Sequence, residues 1–160
     1  MKKMRKILSA LLAMSMVFTL LAVSASAADP DTYPVRVQAL TREETDAIFN
    51  MRSTELTSTT FLPRNNHPGT NGNPCGEFKA DTTSVSFVIK QAPGALTYNV
   101  QLYIGTMGNG YRVAQYDKEL PINNGAAFYD LIVGQTYYFM VSSNDVANGG
   151  CTATYTYKTF

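Results

Sequence analysis

Acid–base chemistry near neutral pH is most readily carried by histidine, and this chain holds one, His67. It stands in Asn65-Asn66-His67-Pro68-Gly69, a run of turn formers with no neighbour placed to orient an imidazole against a nucleophile. The expectation is a solvated turn residue. Carboxylates pair as Asp117 with Glu119, and crowd together as Glu43, Glu44 and Asp46. Charged strand ends and acidic first turns of helices account for both groups. Asp29 with Asp31, and Asn144 with Asp145, bring oxygens of the kind calcium takes, but each pair falls short of the roughly six to eight ligands that ion gathers. Gly-x-Ser-x-Gly elbows, His-Glu-x-x-His helices and glycine-rich phosphate loops are absent from the sequence. The expectation is therefore no catalytic residue, no metal and no cofactor: a protein that is not an enzyme.

Cys75 and Cys151 are the two cysteines. An even count in an oxidising compartment predicts one disulfide, and strands starting just after each cysteine would bring both to one end of a sandwich. Closing so long a loop would stabilise by about 4 kcal/mol in the chain-entropy description. The compartment follows from the N-terminus. Met1-Lys2-Lys3-Met4-Arg5-Lys6 is cationic, residues 7–23 are apolar, and Ala25-Ser26-Ala27 supplies small residues for a signal peptidase. Residues 1–27 thus read as a secretory signal peptide cut after Ala27, in a pattern resembling a Gram-positive bacterial leader. Ser9, Ser15 and Thr19 interrupt an apolar run shorter than the ~20 residues of a spanning helix. No cysteine lies near the cut and Tyr155-Thr156-Tyr157-Lys158-Thr159-Phe160 is no hydrophobic tail, so a secreted, extracellular chain with no stable membrane anchor is expected.

Loss of the leader removes Lys2, Lys3, Arg5 and Lys6, leaving nine Lys and Arg against twelve Asp and Glu. Without a basic face, nucleic acid and anionic membranes are excluded as partners.

The remainder divides in two. Residues 28–74 read as an extension. Tyr33-Pro34-Val35-Arg36-Val37-Gln38-Ala39 alternates weakly and suits an edge strand. Thr41-Arg42-Glu43-Glu44 is a capping box opening a short helix to about Arg52, with Leu40, Ala47, Ile48 and Met51 on one face, which would dock on the following domain. Residues 53–73 are rich in Ser, Thr, Asn, Pro and Gly and predict a mobile loop. Residues 75–160 carry strands at short regular spacing: an all-β, seven-stranded antiparallel β-sandwich. The first strand lies within 77–81. In the second, Val85, Phe87 and Ile89 alternate with Ser84, Ser86 and Lys90. In the third, Tyr98, Val100, Leu102 and Ile104 face the core, with Thr97, Asn99, Gln101 and Tyr103 on the other side. Asn109-Gly110 predicts a hairpin into residues 111–116. Three more strands are expected over 126–131, from Tyr137 to Val141, and over 151–158.

Leu131, Gly134 and Tyr137 stand three apart, with Tyr137, Phe139 and Val141 alternating inward after them. This spacing, with Tyr98-x-Val100, resembles fibronectin type III domains, immunoglobulin-like sandwiches in which a tyrosine hydroxyl bonds back across such a corner. The resemblance covers about residues 76–160. It implies a sheet of the third, fourth, sixth and seventh strands, with Ile89 or Phe87 in the volume the family gives to tryptophan. Such folds host many functions, so function must be read from a site. Strand parity turns Tyr103 and Tyr138 outward on that sheet, near Asn99, Gln101, Tyr111 and Tyr116. These rings suit an unknown extracellular protein or glycan, and serve equally as cross-strand packing. The expected function is a noncatalytic extracellular binding module for protein binding or adhesion. A carbohydrate-binding or carbohydrate-active protein, or an assembly subunit joined through an exposed strand edge, are the alternatives.

Overall fold

A computed structural model of the chain describes residues 35–51, 55–64, 72–147 and 149–160. The leader and its cleavage point, Asp29, Asp31 and His67 lie outside the described residues. Among the described residues there are ten strands and one helix: β1 (Arg36–Ala39), α1 (Arg42–Phe49), β2 (Glu55–Pro63), β3 (Asn73–Lys79), β4 (Ser84–Gln91), β5 (Thr97–Thr106), β6 (Asn109–Gln115), β7 (Leu120–Pro121), β8 (Gly125–Tyr129), β9 (Thr136–Ser142) and β10 (Gly150–Thr159). They form an all-β sandwich of two antiparallel sheets. The first has the order β1-β8-β4-β10-β2; the second has β3-β9-β5-β6, with β7 against β5.

Three readings are corrected. Residues 55–63, placed by the sequence in a mobile loop, are a nine-residue strand paired along its length with β10. Thr57, Thr59, Thr60 and Phe61 are strand formers, and the threonine hydroxyls mask the alternation that apolar side chains would show. The last strand, expected beside β9, β5 and β6, lies in the other sheet between β4 and β2, while β3 takes the place beside β9. There β10 finds ladder partners on both of its sides, which satisfies nearly all of its backbone polar groups. The hairpin turn also moves: Asn109 and Gly110 already pair with Thr106 and Gly105, so the chain reverses at Met107-Gly108, with Gly108 at φ +82°.

The core lies between the sheets. Val85, Phe87 and Ile89 of β4, Phe128 of β8 and Tyr155 and Tyr157 of β10 meet Tyr98, Val100, Leu102 and Ile104 of β5 and Tyr137, Phe139 and Val141 of β9. Phe139 is central, with ring centroids 4.6 Å from Phe87, 5.5 Å from Phe78 and 5.7 Å from Tyr157. Burying one such ring stabilises by about 1.5 to 3 kcal/mol. β3 must bulge to pass this cluster. A Cβ at Gly76, φ +61°, would stand 3.0 to 3.3 Å from the rings of Phe139, Tyr155 and Tyr157.

The corner is built as its spacing predicts. The Tyr137 hydroxyl accepts from the Ile132 amide at 2.9 Å, and Leu131 is buried. Gly134 turns at φ +89° and donates its N–H to Ala80 O at 2.8 Å.

On the outer face of the first sheet, α1 docks. Thr41 Oγ1 accepts from Glu44 N at 3.2 Å and Glu44 Oε2 from Thr41 N at 2.8 Å, so the capping box is formed. Leu40 and Ile48 pack on Ala127 with Tyr129 and Phe160, whereas Met51, expected on the same face, is exposed. Thr45 joins the docked face and is fully buried. Its Oγ1 donates to Thr41 O at 2.7 Å and accepts from Gly125 N at 2.9 Å, tying helix to strand. At the other end the Lys158 ammonium, reaching out from β10, donates to Phe49 O at 3.0 Å and to Met51 O. A cation there also suits the negative end of the helix dipole. No helix among the described residues is long and apolar enough to cross a membrane.

Candidate functional site

The residues expected to form one binding face are placed differently from one another. Tyr103 and Tyr138 are directly opposite on β5 and β9, with ring centroids 5.2 Å apart, and stand outside the core cluster, as strand parity predicts. Yet they are only 7 % and 3 % exposed. Tyr138 lies over Gly110, where a Cβ would come 2.8 Å from its ring, and the Tyr103 hydroxyl donates to Gln101 Oε1 at 3.2 Å. Burial raises both phenol pKa values. Asn99 and Gln101 are half-buried on the same side, with Asn99 Nδ2 donating to Glu119 Oε1 at 3.4 Å. Tyr111 and Tyr116 do not join them. The hairpin register sets Arg112 opposite Tyr103 and Tyr111 opposite the inward Ile104, and the shift between Tyr103 and Leu102 then brings Ala114 opposite Leu102 and turns the strand beyond it by one residue. Tyr116 packs against the core. The anticipated aromatic surface is thus one covered pair.

The carboxylates serve the backbone. Asp145 Oδ2 accepts from the amides of Leu96 and Thr97, both at 3.0 Å, and Oδ1 accepts from Ser143 Oγ at 2.6 Å. Burial opposes the charge, but these hydrogen bonds outweigh it and hold the Asp145 carboxyl below its usual range. Glu119 accepts from Thr97 Oγ1 at 2.8 Å and from the Asn144 amide at 3.2 Å. Together they fasten the turn after β9 to the start of β5. Among the described residues, no group of three or more His, Cys, Asp or Glu is gathered as a metal site.

The predicted disulfide is also corrected: Cys75 and Cys151 are both free thiols. Cys75 is buried on β3, and Cys151 is half-exposed on β10 in the facing sheet. Desolvation pushes the Cys75 thiol up to about 12, against a hydrogen bond with Thr60. Cys151 is raised as well, by partial burial and by the charge of Asp145. Neither thiol is activated as a nucleophile.

What the sequence reading missed is the margin formed by β2. Arg64 N donates to Gly149 O at 3.0 Å, one step beyond the Pro63–Gly150 pair. Bonded pairs alternate along an antiparallel ladder, so Leu56, Ser58, Thr60 and Leu62 bond β10 while Glu55, Thr57, Thr59 and Phe61 turn their N–H and C=O groups away. Pro63 follows the same parity, its carbonyl accepting from Ser143 N at 3.0 Å. Among the described residues no strand lies beyond β2, and Phe61 O receives only a 3.4 Å contact from Thr60 Oγ1. Leu56 and Phe61 are 47 % and 50 % exposed.

The other margins are blunted. β1 has four residues, and its Arg36 pairs with Asp130 at 2.5 Å. β6 carries Gly110 and Arg112, and β3 carries Pro74, Lys79 and a bulge. Charges, Pro, bulges and short strands are the devices that keep sheet edges from pairing with another chain. β2 has one charge, Glu55 at its start, and Pro63 at its end. No protein-family model matches this chain, and no curated protein matches it.

Proposed function

We propose that this chain is a secreted, noncatalytic extracellular module that binds protein by accepting a strand along β2. The observation that carries the reading is the outer row of Glu55, Thr57, Thr59 and Phe61, whose backbone groups point away from β10 on a strand with no charge between Leu56 and Leu62. Strand addition draws affinity from main-chain hydrogen bonds and specificity from flanking side chains, here the exposed Leu56 on one face of the sheet and Phe61 on the other. The cationic leader and small-residue cleavage motif support secretion. The fibronectin type III likeness is supported at the corner of Leu131, Gly134 and Tyr137, and departs at the sheet that takes the first and last strands. A glycan would need a ring face to stack on, and the Tyr103–Tyr138 pair offers little of one.

Titration with an extended Thr/Val peptide, followed by amide NMR, tests the proposal. The amides of Glu55, Thr57, Thr59 and Phe61 are expected to shift while those of Arg36–Ala39 stay in place. No shift along β2 would overturn it.

A further inference from the structure

We infer that the strand accepted by β2 is the β2 of a second copy of this chain, antiparallel and centred on Ser58. The inference rests on the strand-addition reading above and adds the partner's identity. The outer row, which no strand among the described residues pairs, is self-complementary. With Ser58 facing its own copy, Glu55 lies opposite Phe61, and Thr57 opposite Thr59, of the second copy, each twice by symmetry. All four are residues whose backbone groups point outward in each copy, so the pairing closes about eight hydrogen bonds and leaves none of the row unused.

Neighbouring registers do worse. Centring on Thr59 sets Glu55 opposite Pro63, which has no N–H and whose carbonyl already accepts from Ser143. Centring on Thr57 leaves Phe61 beyond the partner's Glu55. Charge selects the direction. Glu55 is the one charged residue of β2, and antiparallel pairing keeps the two carboxylates at opposite ends, whereas an in-register parallel pairing would set them side by side. The half-exposed Leu56 comes opposite Thr60 of the second copy. The first sheets of two copies then join into one continuous sheet, an isologous contact closed by a two-fold axis.

The register is what the experiment reads. Ser58 faces itself as a non-hydrogen-bonded pair with Cα atoms about 4.5 Å apart, within the range a disulfide spans. In a Cys151→Ser background, Ser58→Cys is expected to form a covalent dimer under mild oxidation, and Thr57→Cys, offset diagonally by about 7 Å, is not. Sedimentation of the unmodified full chain should show a concentration-dependent dimer. Thr59→Pro removes an outward N–H and leaves the β10 ladder whole, so it should raise the dimer dissociation constant at least about tenfold.

A chain that stays monomeric at its highest soluble concentration overturns the inference, as does a dimer that Ser58→Cys fails to cross-link. Should Thr59→Pro not fold, the cross-link alone decides. A monomer whose β2 amides still shift with the Thr/Val peptide leaves strand addition standing and removes only the second copy. Silence in both experiments removes both.

Discussion

The two margins of the first sheet are made differently. At the β1 end the strand is short, Arg36 engages Asp130, and Leu40 with Thr45 and Ile48 of α1 covers the neighbouring outer face. Lys158 reaches across from β10 to hold the end of that helix. At the β2 end the strand is long and nearly uncharged, and among the described residues no strand pairs with its outer row. A sheet edge that must stay monomeric is shortened, charged or covered, so the contrast separates a margin built for stability from one available for contact.

Breaking the sealed margin should cost most. Lys158→Ala strips Phe49 O and Met51 O of their donor and empties a side-chain volume that is 1 % exposed. A loss of about 3 kcal/mol in urea denaturation is expected, with early amide exchange in α1. Thr45→Val keeps the shape but leaves the Gly125 N–H unsatisfied, for a loss of about 1 to 2 kcal/mol by the same measurement. Thr59→Lys, placed on the open margin where the side chain is exposed, should change stability by less than about 0.5 kcal/mol. If Thr59→Lys destabilises as much as Thr45→Val, the two margins are not distinct in kind.

The elements legible beforehand were those whose pattern is local. The Thr41–Glu44 capping box and the alternation of Tyr98, Val100, Leu102 and Ile104 needed only neighbours in the chain. The corner of Leu131, Gly134 and Tyr137 spans seven residues and was legible for the same reason. Legibility failed at β2, because a Ser- and Thr-rich strand and a Ser- and Thr-rich loop share a composition. At Tyr116 it failed through a one-residue register shift between Leu102 and Tyr103, which turned the ring to the core side.

Local sequence determined that this chain would be β-rich, where its inward rows lie, and that Tyr137 closes a corner, since strand period and turn chemistry are short-range properties. Tertiary structure alone decided that β10 leaves β9 for β4 and β2, that Cys75 and Cys151 are unbonded thiols, and that Tyr103 and Tyr138 pair ring against ring. It also decided which strand, among the described residues, stands at the margin with no strand beside its outer row. Sheet order depends on which distant strands compete for the same hydrogen-bonding edge, and nothing in the spacing of residues within one strand records that competition.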